Sequence, residues 1–261
     1  MRLSRICVLV LVLAGILGAA GVAEAQRDFS GVEIQTTSLG DGLAMLQGAG
    51  GNLGVSTGPD GVLLIDDQYA PMTDKIRAAI AELSNDPVRF VLNTHWHRDH
   101  TGGNENLGRG GAVIIAHDDV RKRMNSGQYF ALRDTTIPAS PRAALPIVTY
   151  SDGLTLHLNG QTIDVLHVDP AHTDGDSIVY FREADVLHLG DIFFAGRYPF
   201  IDLSSGGRVD GIIAAAKSRP RNSRPEDANH SWPRSAFKDT GPREVQGHDC
   251  HGTRPRSRID F

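Results

Sequence analysis

The chain has 261 residues, enough for one large domain or two small ones. With 40% apolar and 22% charged residues it is ordinary globular material, and its 29 glycines suit a fold rich in tight turns. A formal net charge of −5 leaves no basic footprint of the kind a nucleic-acid binder carries.

Residues 1–25 read as an export signal. Arg2 and Arg5 give a positive start, Ile6 to Leu17 is apolar except for Ala14 and Gly15, and Ala23-Glu24-Ala25 is a small-x-small cleavage site. The mature chain then begins at Gln26, in a secreted or periplasmic setting, with no membrane attachment, because the apolar stretch is short for a span. Cys7 leaves with the signal, so Cys250 has no partner for an internal disulfide.

From residue 26 to 216 the pattern is that of an α/β domain. Val32 to Ile34, Leu43 to Leu46, Leu53 to Ser56 and Val62 to Ile65 are short apolar runs separated by turns, among them Pro59-Asp60-Gly61, and they predict a meander of strands. Pro71 opens a helix with Ile76, Ala79, Ile80 and Leu83 on one face, which ends by Pro87. Val88 to Leu92 is a buried-type strand leading straight into His95. Val113 to Ala116 predicts another strand, and Asp118 or Asp119 caps a short helix through Met124. Residues 127–146, with Pro138, Pro141 and Pro146 and no clear period, predict a loop over one face. Strands resume at Ile147 to Tyr150, Thr155 to Leu158, Thr162 to Val168, Ser177 to Phe181 and Val186 to Leu189, before a helix from about Arg208 to Ala216. Two similar α/β halves packed sheet to sheet fit this order.

The chemistry concentrates in His95-Trp96-His97-Arg98-Asp99-His100. Four potential ligands in six residues, at the end of an apolar strand, suit a zinc-type site, where imidazoles and carboxylates converge at about 2.0–2.2 Å from the ion. His95 and His97 can point to one side, while Asp99 and His100 face a second position. Thr101-Gly102-Gly103 then lets the backbone turn away.

On that run, on Ala171-His172-Thr173 and on Gly190-Asp191, the sequence resembles the metallo-β-lactamase superfamily of the exported bacterial kind, over roughly residues 32–216. The resemblance implies an αββα sandwich with the site at one edge between the sheets. It implies a first metal held by His95, His97 and His172. It implies a second held by Asp99, His100 and a further C-terminal histidine, with Asp191 bridging. Two cations lower the pKa of a shared water, and the resulting hydroxide attacks a carbonyl while Asp99 orients it or accepts its proton. The expected activity is hydrolysis of a small-molecule ester, thioester, lactone or β-lactam. Asp191 points away from the zinc β-lactamases, in which the bridging residue is usually Cys or Ser. Zinc is favoured, although the all-N/O ligand set also suits iron or manganese. The alternatives are a di-iron oxidoreductase, disfavoured because the chain shows no flavin-binding partner domain, and a defunct metal-binding protein of the same fold.

The remaining histidines, His117, His157, His167 and His188, are expected to pack or to support ligands from behind. Asp66 either orients a ligand histidine or serves a turn, and Asp174 and Asp176 serve turns. Arg197, Tyr198 and Phe200 either line a substrate pocket or form an ordinary loop.

Residues 217–261 are out of character, holding ten of the 26 Lys and Arg, five of the 13 Pro and no apolar period, which predicts disorder. The family's Pro-Gly-His-Gly, carrying the missing ligand, does not occur there. The codons of Asn229 to Arg234, read one nucleotide downstream, permit Thr-Ile-Pro-Gly-His-Gly. A single-base frameshift near Ala216 to Ser218 accounts for both facts and leaves the second metal site impaired. The expected observation is a lost or gained base in the gene at those codons; an unbroken frame in several independent clones contradicts it.

Overall fold

The structure, a computed structural model, describes residues 28–131 and 134–217. The expected export signal and the tail beyond Lys217 lie outside the described residues, which end within the stretch Ala216 to Ser218 where a frameshift is expected.

Short apolar runs satisfy their backbone groups only by pairing. Here β1 (Gln35–Gly40), β2 (Leu43–Gln47), β3 (Leu53–Ser56) and β4 (Val62–Ile65) form an antiparallel meander. The next strands, β5 (Val88–Leu92) and β6 (Val113–His117), add in parallel, because helices α1 (Thr73–Ala81), α2 (Arg98–Thr101) and α3 (Asn104–Arg109) carry the chain back each time. After α4 (Asp118–Met124) and a small hairpin of β7 (Gln128–Phe130) and β8 (Thr135–Ile137), β9 (Val148–Tyr150) closes a seven-stranded sheet in the order β1-β2-β3-β4-β5-β6-β9. A second, antiparallel sheet contains β10 (Gly153–Leu158), β11 (Gln161–His167), β12 (Ser177–Phe181) and β13 (Val186–His188), followed by α5 (Val209–Lys217).

The strand period of two sorts side chains into layers. Leu64, Val91 and Ile114 face Ile76, Ile80 and Leu107 of the helices. Their neighbours Leu63, Ile65, Leu92 and Ile115 meet Ile163, Val165, Val179 and Phe181 of the second sheet. Behind that sheet, Ile178 and Leu187 pack on Ile212 and Ala215 of α5. The layers therefore run helix, sheet, sheet, helix, the αββα sandwich that the resemblance implies. No helix among the described residues is long and apolar enough to cross a membrane.

Three expectations change. Val32 and Ile34 form no strand: they pack on the first core while Lys75 Nζ gathers the carbonyls of Phe29, Ser30 and Val32. The strand follows them, at the mostly polar and exposed Gln35–Gly40, which pairs with β2 through its backbone and sets Leu39 against the core between the sheets. Residues 127–146 are more ordered than a plain loop, with the β7–β8 hairpin and a 3-10 turn at Arg142–Ala144, elements too short to show a period. The last helix takes in Lys217, one residue past the compositional boundary.

Helix α5 also braces the chain before His172. Arg208 N–H donates to Ala171 O at 2.7 Å, and a Cβ at Gly211 would lie 1.7 Å from Pro170 O. Because that neighbour is backbone, Gly211→Ala must push the helix off the 170–171 segment. The expected cost is about 1–3 kcal/mol of stability, read by chemical denaturation; an unchanged midpoint contradicts this packing.

Candidate metal centre

The site collects at the C-terminal ends of β4, β5, β11 and β13. Strand β5 delivers the run from Asn93, whose side-chain amide pairs reciprocally with that of Asn104 at 2.9 and 3.1 Å. Asn93 also donates to His100 O, and Ser177 N–H of the second sheet donates to Thr94 O, so the loop is held from both halves. Helix α2 turns Asp99 and His100 inward. Asp176 accepts the amide hydrogens of His172 and Thr173 at 2.6 and 2.9 Å and so shapes the turn that presents His172. Asp191 lies in the 3-10 turn Gly190–Ile192 that follows β13.

His95, His97 and His172 stand as a tripod. Their ring centroids are 4.7–4.9 Å apart and their planes nearly perpendicular. Beside them, His95, His100 and Asp191 form a second convergent group. Asp191 reaches both: Oδ1 lies 3.1 Å from His100 Nε2, and Oδ2 lies 3.8 Å from His172 Nε2. Asp99 stands at the rim, 3.8 Å from His100 Nε2. All six residues singled out in the sequence are thus brought together, with Asp99 the most peripheral.

The outer ring nitrogens reveal what the inner ones must be. His172 Nδ1 donates to Phe200 O at 2.7 Å, and His97 Nε2 donates to Asp202 Oδ2 at 2.9 Å. His95 Nδ1 donates to Thr94 Oγ1, which passes its own hydrogen to Asp66. His100 Nδ1 donates to Asp66 Oδ2 at 2.8 Å. A neutral imidazole has one hydrogen, so in that form the inner nitrogens of His95, His97 and His172 are left as lone pairs. Yet His97 Nδ1 and His172 Nε2 face each other at 2.9 Å. Two acceptors at that distance repel unless a proton or a metal cation lies between them. His95 Nε2 and His100 Nε2 are likewise buried without a hydrogen bond. The donor set fits one or two metal ions.

The electrostatics agree. Burial holds His95 well below the usual histidine range and lowers His172, so both stay neutral as ligation requires. Burial also disfavours charge on His100, but Asp191, Asp66 and Asp99 outweigh it and raise its pKa well above the ordinary value. Burial pushes Asp191 up, but His100, His172 and His95 overcome this and hold its carboxyl well below the usual range. The pocket attracts positive charge.

Asp66 proves to be an orienting residue, its carboxylate accepting from Thr94 N, Thr94 Oγ1 and His100 Nδ1. It does so from a left-handed conformation, φ 59°, uncommon for a residue with a side chain. The loop opposite is glycine-rich for contact: a Cβ at Gly51 would sit 2.2 Å from the His100 ring. Arg197 lies over the ring of Phe194 at 4.9 Å, and Tyr198 is exposed. Phe200 stands edge-on to His172, and Phe130 from the β7–β8 hairpin edge-on to His97. His117 and His167 stack on each other, 3.7 Å between centroids, at the rim of the sandwich. His188 supports the site from behind, donating to Asn52 O and accepting from Gly190 N–H beside Asp191. Sequence reading missed Thr94 and Asp202. Asp202 is separated by more than a hundred residues from the imidazole it holds, so no local spacing signals it. Burial raises its carboxyl, but hydrogen bonds from His97, Ser204 and Ser205 hold it well below the usual range.

A convergent histidine and aspartate cluster at one edge of an αββα sandwich defines a class of metal-binding protein. The family model of the metallo-beta-lactamase superfamily matches residues 49–240, and the chain belongs to that superfamily. The chain is 25% identical over 146 residues to the 2,4-dinitroanisole O-demethylase subunit alpha of a Nocardioides species, covering 53% of this chain and 40% of that protein. It is 29% identical over 109 residues to the hydroxyacylglutathione hydrolase of Erythrobacter litoralis, covering 41% and 35%. It therefore spans less than half the length of these curated relatives. Among solved structures, a metallo-beta-lactamase of Cronobacter sakazakii superposes with a TM-score of 0.57 at 24% identity, covering 71% of this chain and 73% of that one. A subclass B3 metallo-beta-lactamase of Bradyrhizobium japonicum gives 0.56 at 22%, with the same coverage. These two likenesses speak to the fold.

His188 gives the site a pH signature. Burial lowers its pKa below 6.5, and both ring nitrogens are committed to the neutral form. A depressed histidine contributes stability above pH 6.5 that is lost as pH falls towards the lowered folded value. His188→Gln keeps one donor and one acceptor without titrating. The stability advantage of the wild type over this variant should therefore shrink between pH 7 and 5, by up to about 1.4 kcal/mol per pH unit. Urea unfolding across that range checks it, and a constant gap contradicts it.

Proposed function

We propose that the protein is a metal-dependent hydrolase of small carbonyl substrates, with esters, thioesters and lactones ahead of β-lactams. The observation that carries this reading is the confrontation of His97 Nδ1 and His172 Nε2 at 2.9 Å, with the Asp191 carboxylate extending from His172 to His100. His95, His97 and His172 would hold one ion, and His100, Asp191 and Asp99 the other. When bound, such ions supply a water of lowered pKa and a polarised carbonyl. Zinc suits the donor set best; iron and manganese also accept it.

The chain's own residues do the rest. Asp99, at the rim and 15% exposed, would orient the attacking water and take its proton. Asp191 would serve both ions, one oxygen lying 3.1 Å from His100 Nε2 and the other 3.8 Å from His172 Nε2. Phe130 and Phe200, ring centroids 6.4 Å apart, form an apolar wall beside the tripod for the substrate's acyl group. Because the tail after Lys217 carries no Pro-Gly-His-Gly, a second ion would be held less tightly than the first.

The hydrolase reading is supported by family membership and by the hydroxyacylglutathione hydrolases among the relatives. The bridging aspartate favours that branch over lactam cleavage. The positive n-region, apolar stretch and Ala23-Glu24-Ala25 support export. Protein recovered from the periplasm of a bacterial host should begin at Gln26 and, loaded with zinc, turn over members of a panel of thioester, lactone, ester, β-lactam and aryl methyl ether. His95→Ala and His172→Ala should each cut that rate at least 100-fold and lower bound zinc. An N-terminus at Met1 removes the export reading alone. No turnover of any panel member by zinc-bearing protein removes the hydrolase reading.

A further inference from the structure

We propose that Asp202 is a positioning residue that fixes the tautomer of His97 and, by the same turn, clamps His97 to His172, so that the three-histidine site is preorganised. This rests on the metal-centre reading above.

Of the three imidazoles in the tripod, His95 and His172 turn Nε2 inward, whereas His97 turns Nδ1 inward. That choice requires the His97 hydrogen to stay on Nε2, and therefore an acceptor that outcompetes water at that atom. Asp202 Oδ2 is that acceptor, at 2.9 Å, with its side chain 3% exposed and that of His97 12% exposed. The other two outer nitrogens rest on neutral partners, the Thr94 hydroxyl and the Phe200 carbonyl. His97 alone of the three is given a full negative charge. With an apolar side chain at 202, a hydrogen on Nδ1 would point into the space shared with His172.

The carboxylate is itself immobilised. Oδ1 accepts from the backbone of Ser204 at 3.0 Å and of Ser205 at 3.3 Å, and the hydroxyls of both serines also donate to this carboxylate. Trp96, between the two ligand histidines, donates its Nε1 hydrogen to Ser205 Oγ at 3.0 Å. The backbone of Asp202 grips the other side: its N–H donates to His172 O at 2.9 Å, and its carbonyl accepts from Gly207 N–H at 2.8 Å. Gly207 passes so close to His172 that a Cβ there would lie 2.3 Å from His172 O. One residue thus joins two ligands that stand 75 positions apart in sequence. Carboxylate support of a ligand imidazole commonly changes metal affinity 10–100-fold.

The test uses the full chain, zinc and histidine labelled with nitrogen-15. In the zinc-loaded wild type, His97 should carry its hydrogen on Nε2, with the downfield ring-proton resonance of an imidazole bonded to a carboxylate. Asp202→Asn, which keeps acceptor capacity for the turn but loses the charge, should weaken zinc binding about tenfold in competition with a chromophoric chelator. Asp202→Ala should weaken it up to about 100-fold and abolish the downfield resonance. A His97 hydrogen on Nδ1 in the wild type overturns the proposal without any variant. So does zinc affinity within twofold of wild type in both variants. A wild type that takes up no zinc overturns the metal-centre reading itself, and this role with it.

Discussion

Two lone pairs, on His97 Nδ1 and His172 Nε2, meet at 2.9 Å, and the surrounding structure gives neither nitrogen a hydrogen to relieve the repulsion. Each outer nitrogen is committed as a donor, to Asp202 and to the Phe200 carbonyl. The fold thus spends packing and hydrogen bonds to hold a locally unfavourable arrangement that a cation makes favourable. Asp66 imposes the same logic on His95 and His100 through one carboxylate and the Thr94 hydroxyl. The partners behind the imidazoles decide the chemistry as firmly as the imidazoles themselves.

Such an arrangement survives only on a rigid base. The meander and the parallel strands place Asp66, the 95–100 run and His117 at one end of the first sheet, and β11 and β13 end beside them in the second. The apolar layer between the sheets fixes the distance between the halves. Polar ties at the rim then set the fine geometry: the Asn93–Asn104 amide pair, Ser177 to Thr94 O, and His188 to Asn52 O. These are buried groups fully paired, which makes them specific as well as stabilising.

Charge is distributed to the same end. Asp66, Asp99 and Asp191 surround His100 in a low-dielectric pocket and draw positive charge to it, while burial keeps His95 and His172 neutral. One pocket therefore offers neutral donors on one side and anionic oxygens on the other. This suits divalent ions, whose binding needs deprotonated ligands.

The sequence by itself determined three of the four meander strands, the helix face of α1, the layered α/β class and the histidine run, because each is written locally: continuous apolar runs such as Val62–Ile65, the 3.6 period of α1, and histidines two apart after an apolar strand. It also placed His172 and Asp191, through short motifs that the superfamily shares. The edge strand Gln35–Gly40 and the β7–β8 hairpin were illegible, since one is polar and exposed except at Leu39 and the other is three residues to a side. Only the tertiary structure decided between the two roles open to Asp66, and only it revealed Asp202. A carboxylate that orients an imidazole acts through a contact between residues 34 or 105 positions apart, and such pairs leave no period in the chain.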